Sequence, residues 1–530
     1  MSLISIAFFV FLLILLPVYF FVPRRYQWYV LLAGSFVFYL YGNWRVVGYL
    51  LVTIVSQYVF ARKIDAINVR QNAAAEKASG VRKASIKKEF AQQKKKYLLA
   101  ALLLNFGMLC FVKYTNFLLE NLFQLNNWLT HSDGEFTALD IAIPLGISFY
   151  TFASVGYVID VYRGKERAEN NICKLALFVS FFPTIIQGPI ERHSDLAHQL
   201  YEEHSFEYNR LCMGLQRMLW GYIKKLVIAD RVVIVVRQVL DNYTHEDYGT
   251  FIIFGAVLLG GLRTYADFSG GMDIVCGLCE IMGIRLTENF RQPYMARSIS
   301  EFWQRWHITL GAWVRRYVFY TITLSKKFNG IVKACRKRFG NSAKYIPATC
   351  ASLIVFWIIG IWHGANWKYI AYGLYSAFFV ATGTLFQDVY KTMKVRLHVR
   401  EESKAWIFFQ MVRTTVLVTF GKYLVYAGDI PDAIGLLKTT FTHFDPWVFF
   451  DGSLYQLGLS EKEFRFMMFT IVLLAFVDIL KERGVHIRER IAGQTLIVRW
   501  TIYYGALLFL LLYGVYGPGY DARDFVYMHF

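Results

Sequence analysis

The chain contains several runs of about twenty residues that carry almost no charge, among them SLISIAFFVFLLILLPVYFF at 2–21 and TIYYGALLFLLLYGVYG at 501–517. A run of that kind crosses a hydrocarbon layer of about 30 Å as a helix, because there a helix satisfies its own backbone donors and acceptors. About eleven to thirteen runs meet the same length criterion, so the sequence predicts an all-α polytopic membrane protein with re-entrant segments. Composition agrees: of 530 residues, 56% are hydrophobic and 18% aromatic, well above the soluble average. The first run lacks a basic start, and Arg24 and Arg25 follow it, so a retained helix is expected rather than a cleaved leader.

The formal net charge is +19, and its placement decides what it means. Basic residues crowd into Arg62–Lys96, Lys326–Lys344, Lys391–Arg400 and Lys481–Arg490. These are predicted as cytoplasmic loops, since Lys and Arg collect on the inner side of membrane proteins. A nucleic-acid partner is not expected, because no basic face sits on a soluble module. Threading from these loops puts the acidic stretch THSDGEFTALD and the C-terminal tail outside. The organisation expected is N-terminal transmembrane helices over 1–139 with a basic loop at 62–97, a central core over 140–390, C-terminal transmembrane helices over 391–517 and an extracytoplasmic aromatic tail over 518–530. The segment ALFVSFFPTIIQGPI at 176–190 contains Pro183, Gly188 and Pro189 and is predicted to be interrupted, re-entrant or cavity-lining.

Seven cysteines (110, 173, 212, 276, 279, 335 and 350) are scattered and odd in number, which gives no disulfide framework. Cys276 and Cys279 are spaced C-x-x-C, but without a second pair they read as packed helix residues rather than metal ligands. There is no G-x-S-x-G elbow, no Walker A loop and no H-x₃-H pair. No metal or bound cofactor is expected.

Of eleven histidines, two sit where polar side chains are costly: His307, in SISEFWQRWHITLGAWVRRYVF, and His363, in FWIIGIWHGANWKYIAYGLY. An ionisable residue within a span is a functional hypothesis by default, although a lone histidine beside tryptophan is more often a hydrogen-bonded core or interfacial residue. Their neighbours favour function. On a helix His307, Gly311 and Arg315 share a face at i, i+4 and i+8, and Gly311 leaves room beside the imidazole. His363 is followed by the small residues Gly364, Ala365 and Asn366, with Trp362 and Trp367 as walls. A neutral imidazole takes a proton from a hydroxyl and returns one to a leaving group, as acyl transfer to an alcohol requires.

Five stretches carry a resemblance: IPLGISFYTFASVGYVIDVYRGK (143–165), ALFVSFFPTIIQGPIERHSDL (176–196), YADFSGGMDI (265–274), LTENFRQPYMARSISEFWQRWHITL (286–310) and WHGANWKYIAYGLY (362–375). In that order they resemble the membrane-bound O-acyltransferase family, in particular its bacterial alginate O-acetyltransferase and teichoic acid D-alanyl transfer branch. The resemblance implies an all-helical enzyme around a central tunnel that passes an acyl group from a cytoplasmic thioester, acetyl-CoA or an acyl carrier protein, to an extracytoplasmic acceptor or a secreted serine hydrolase-like transferase. His363 matches the family histidine of the W-H-G motif and His307 that of R-W-H. Asn366, Trp303, Arg305, Trp306 and Trp367 would shape the site with Gly311 and Arg315. The family often has Ser where this chain has Gly311, and an acidic residue where it has Arg316.

The tail DFVYMHF ends the sequence on Phe525, Tyr527 and Phe530. Interfacial anchoring accounts for any one aromatic there. The spacing F-x-Y-x-x-F resembles the terminal motif of the small single-span partner peptide of teichoic acid D-alanylation systems, in which the tyrosine is implicated as an acyl carrier. By that resemblance Tyr527 is a third catalytic residue, and a phenol of pKa near 10 forms an ester that keeps much of a thioester's transfer potential. The expected function is thus O-acyl transfer, with acetyl as the expected group, toward a cell-surface polymer at a bacterial cytoplasmic membrane. The alternatives are a transporter or flippase of a lipid or polysaccharide precursor, and a noncatalytic membrane scaffold.

Overall fold

A computed structural model describes residues 1–42, 44–246, 248–340, 345–516 and Tyr520. Among them the chain is built from helices and turns, and the extended pairing is one isolated antiparallel bridge between Phe290 and Trp306. It forms two compact units: Met1–Leu215 with Val275–Thr287, and Gln216–Ile274 with Glu288–Phe530.

The first unit contains α1 (Ile6–Phe21), α2 (Gln27–Gly42), α3 (Val47–Glu76), α4 (Gly80–Thr130), α5 (Ile147–Tyr162), α6 (Ile172–Ser180), α7 (Phe182–Ile186) and α8 (His193–Tyr201), and α9 (Tyr208–Tyr222) begins in it. The basic stretch expected as a loop at 62–97 is helical apart from a break at 77–79. Its composition explains the difference: Ala, Lys, Gln and Glu are strong helix formers, and a helix carries their charges into water with its backbone bonds intact. The interruption expected within 176–190 is present, with α6 and α7 separated at Phe181. Beyond it the buried carboxylate of Glu191 accepts hydrogen bonds from the backbone N–H and the hydroxyl of Thr287 at 2.6 and 2.9 Å, which ties the IER stretch to the chain after the long α11.

The second unit contains α10 (Asp230–Leu240), most of α11 (Thr250–Ile281), α12 (Ile299–Arg305), α13 (Ile308–Val314), α14 (Tyr320–Thr323), α15 (Lys326–Phe339), α16 (Ile346–His363), α17 (Trp367–Leu385), α18 (Gln387–Arg396), α19 (Lys404–Tyr426), α20 (Ile430–Thr442), α21 (Glu461–Glu482), α22 (Ile487–Ala492) and α23 (Leu496–Tyr513). The other basic stretches likewise fall largely on helices, α15, α18 and α22. Two π-helical turns, Ile223–Ala229 and Arg315–Phe319, interrupt the α-helical ladder.

Five described helices are long and apolar enough to cross a membrane, or six if α17 and α18, bent by 63° at their junction, count as one span. The remaining apolar runs form shorter helices, such as α1, α2 and α5 at 16 residues each. Others interleave charged residues, such as Arg413 and Lys422 in α19 and Asp478 in α21. The window of α23 has no buried residue, and Leu496, Ile497, Leu508 and Leu512 on it are exposed. An apolar exposed helix of that length belongs in lipid. The protein is an all-helical, multi-pass integral membrane protein.

Candidate active site

The site is assembled within the second unit around a break in helix. α12 stops at Arg305 because the next residues pair with a segment upstream: the Arg291 N–H donates to the Arg305 carbonyl at 3.0 Å, and the Ile308 N–H to the Asn289 carbonyl at 3.0 Å. Trp306 is extended, His307 is left-handed with φ 46° and ψ 55°, and α13 starts at Ile308. The single helical face expected for His307, Gly311 and Arg315 is therefore not present, since tertiary pairing with 289–291 replaces a turn that local propensity would have continued. Gly311 still adjoins His307, its N–H donating to the His307 carbonyl at 3.1 Å. A Cβ added to Gly311 would meet only the Trp303 carbonyl, at 3.8 Å, so there is open space at this position. Arg315 is exposed and opens the second π-helical turn.

His307 is 3% exposed, and its surroundings determine which ring nitrogen carries the proton. Asn289 Oδ1 accepts from the backbone N–H of Thr309 at 3.0 Å and from the Thr309 hydroxyl at 2.9 Å, and it lies 3.2 Å from His307 Nδ1. An oxygen that accepts from a backbone donor must face Nδ1 as an acceptor too. The neutral ring therefore carries its proton on Nδ1 and presents a lone pair at Nε2. Asn289 is itself held by α11, its Nδ2 donating to the Met272 sulfur at 3.7 Å, and Phe268 packs edge-on to the imidazole at 5.1 Å. YADFSGGMDI thus supplies the second layer behind this histidine. Its Gly270 also lets α11 approach the end of α9, since a Cβ there would lie 2.9 Å from the Gly221 carbonyl.

His363 is the last residue of α16 and is only partly buried. The α16–α17 hairpin that presents it closes on glycine. A Cβ on Gly373 would lie 2.4 Å from the Phe356 carbonyl, and one on Gly360 would lie 2.6 Å from the Tyr369 carbonyl. Rings surround the imidazole: Trp362 at 5.1 Å, Tyr372 at 6.3 Å and Tyr369 at 6.5 Å between centroids. Asn366 caps α17, its side chain accepting from the Lys368 N–H at 3.0 Å, and Trp367 is 54% exposed. The two histidines meet at one indole, because the Trp362 ring lies 5.6 Å from His307 and 5.1 Å from His363.

The other expected residues divide by role. Trp303 packs edge-on to Phe356 at 5.4 Å and lies 6.2 Å from Tyr372, which joins α12 to the hairpin. Trp306 is buried, stacked with Phe302 at 5.6 Å. Arg305 is engaged by carboxylates: Glu301 at 2.7 Å, and Glu482 in a two-pronged contact at 2.7 and 2.8 Å. It is a clamp between α12 and the end of α21.

Several contributors escaped the sequence reading. Asn289 is one. A second is a buried ionic group at the first π-helical turn, where Lys225 bonds Asp230 at 2.8 Å and Asp267 at 2.7 Å. Next to it Lys224 bonds Asp273 at 2.7 Å and Ser269 at 2.9 Å, and Arg217 adds Asp273 and Glu288. The adjacent lysines of GYIKKLVIAD, set among apolar residues, were the available signal. The chain after α23 returns to this group: the Val515 N–H donates to the Leu226 carbonyl at 2.8 Å, and the Tyr520 hydroxyl to Asp230 at 2.6 Å. Phe525, Tyr527 and Phe530 lie outside the described residues.

Residues 168–334 match the model of the membrane-bound O-acyltransferase family. The chain is 33% identical to a probable alginate O-acetylase of Pseudomonas putida over 70% of its own length and 68% of the relative's. It is 34% identical to the corresponding Pseudomonas syringae protein, over 70% of the chain and 64% of that relative. A peptidoglycan O-acetyltransferase of Helicobacter pylori is 29% identical over 72% of the chain and 70% of its own length. With two histidines meeting at one indole inside an all-helical membrane unit, and with relatives matched to this extent, the chain belongs to the membrane-bound O-acyltransferase family, a family of acyltransferases.

Proposed function

We propose that the protein is an O-acetyltransferase of a bacterial cytoplasmic membrane. It takes an acyl group from a cytoplasmic thioester, acetyl-CoA or an acyl carrier protein, and delivers it toward a cell-surface polysaccharide or teichoic acid, directly or through a secreted serine hydrolase-like transferase. The observation that carries the reading is the fixed tautomer of His307, with Nδ1 on Asn289 Oδ1, in an aromatic enclosure shared with His363. Support for an acetyl group and an envelope polymer comes from the relatives, whose names specify O-acetylation of alginate and of peptidoglycan.

The chemistry asked of the site is proton management. A hydroxyl oxygen attacks the thioester carbonyl carbon while His363 takes its proton. As the tetrahedral adduct collapses, the C–S bond breaks and the imidazolium returns that proton to the leaving thiolate. His307, buried and held by Asn289, keeps a fixed orientation beside it and presents Nε2 to the reacting groups. The attacking hydroxyl of the first step is the phenol of Tyr527, whose aryl ester is then discharged to the acceptor outside. The C-terminal peptide of the purified protein, weighed by mass spectrometry after turnover, is expected to carry an acyl increment on Tyr527. Tyr527→Phe at normal expression is expected to abolish polymer esters. If surface esters are unchanged in that variant, the relay is wrong. Loss of polymer export, rather than of its esters, in His363→Ala would instead favour a transporter.

A further inference from the structure

Among the described residues the second unit buries three lysines, and two of them are neutralised. Lys225 lies between Asp230 and Asp267, and Lys224 bonds Asp273 and Ser269. The third, Lys422 on α19, is 6% exposed, yet among the described residues no carboxylate lies within ion-pairing distance of it. What its ammonium faces is aromatic: Nζ lies 5.3 Å from the Trp306 ring centroid and 5.5 Å from that of Tyr372. Ring faces attract a cation but do not neutralise it. A buried charge without a counter-ion is costly, and a fold keeps one where a ligand or a reaction supplies the opposite charge.

Its position says which charge. Trp306 immediately precedes His307 in the chain, and the Tyr372 ring lies 6.3 Å from that of His363. Lys422 therefore stands one ring away from His363, across Tyr372, and beside the residue that precedes His307, on a helix that contributes neither histidine. We propose that Lys422 is a catalytic residue of the acyl-transfer centre, the cation that receives the negative charge developing on the acyl carbonyl oxygen. The inference rests on the acyl-transfer function proposed above. As the attacking oxygen bonds to the carbonyl carbon, the C=O π electrons move onto oxygen, and the Lys422 ammonium donates a hydrogen bond to that oxyanion. When the adduct collapses, the pair returns to re-form C=O and the C–S bond breaks, so Lys422 ends the cycle protonated as it began. Trp306 and Tyr372 hold the ammonium in place between turnovers. A preorganised donor aimed at a developing oxyanion in a water-poor site supplies roughly 10²–10³ in rate.

The test uses the full chain in membrane vesicles, with radiolabelled acetyl-CoA as donor and both thiol release and label transfer as readouts. Lys422→Met keeps the length and the contact with both rings but removes the charge. It is expected to lower kcat by roughly 10²-fold, with KM for acetyl-CoA within about threefold, and its melting temperature is expected to hold or rise because an uncompensated charge has left the interior. Lys422→Arg, which restores a cation, is expected to recover at least a tenth of the wild-type kcat, whereas a purely structural lysine gives no reason for charge-dependent rescue. A folded Lys422→Met enzyme with kcat within about threefold of wild type overturns the proposal, as does a folded Lys422→Arg enzyme no faster than Lys422→Met. Wild-type vesicles that neither release thiol nor transfer label would instead overturn acyl transfer from acetyl-CoA, a failure distinct from that of Lys422.

Discussion

The two histidines resemble each other in sequence, each preceded by tryptophan within an apolar stretch, but the structure treats them differently. His307 is sealed in, left-handed, with one ring nitrogen committed to Asn289. His363 stands at the end of a helix, partly exposed, beside the rings of Trp362, Tyr369 and Tyr372. A ring with an assigned proton suits orientation and electrostatics. A ring at the partly exposed end of a helix is within reach of the groups with which it would exchange protons. The contrast fits the unequal roles proposed for them, with His363 carrying the proton and His307 held in a defined state beside it.

The largest effect should come from the exchanging partner: His363→Ala is expected to lower acyl transfer by roughly 10²–10⁴-fold, as loss of a general base does, measured as initial rate at equal protein level. Next comes the committed partner. Asn289→Leu keeps the volume but removes the acceptor that fixes Nδ1–H, and kcat should fall by roughly 10–100-fold with little change in KM, by analogy with losing the group that orients a metal-bound or catalytic histidine. If Asn289→Leu leaves kcat untouched, the distinction between the two histidines collapses. Gly373→Val attacks the His363 side alone by forcing the α16–α17 hairpin apart. It should cost about 1–3 kcal/mol, seen as a lower melting temperature in detergent. A variant of unchanged stability would mean that the hairpin is not closed on glycine as described. The smallest effect is expected at Trp367. Because it is half exposed, Trp367→Ala should change rate and stability by no more than about threefold, and a larger loss would restore it as a wall of the site.

Fold class was legible because membrane solvation leaves few options for a long uncharged run. Both histidines were legible for a related reason, since an imidazole in apolar surroundings demands an explanation. Asn289 was not, because its importance arises from an irregular segment 18 residues upstream folding back on the end of α12, and no local period encodes that pairing. The same pairing broke the helix on which His307, Gly311 and Arg315 were expected to align. Arg305 shows the reverse situation: its motif suggested a role at the substrate, while what the structure displays is a brace to two carboxylates, one of them 177 residues away. Lys422 was available to inspection as a single charge in VTFGKYLVY, but its meaning depended on which buried lysines have partners.

The left-handed backbone at His307 bears on which sequences selection would accept. A non-glycine residue at φ 46° carries strain of about 1 kcal/mol or more, which glycine would relieve and asparagine tolerate well. Histidine holds that strained backbone because contacts of its buried ring with Asn289, Phe268 and Trp362 offset the strain. His307→Gly would relieve the strain but leave a cavity beside those groups, and it is expected to lower both stability and acyl transfer.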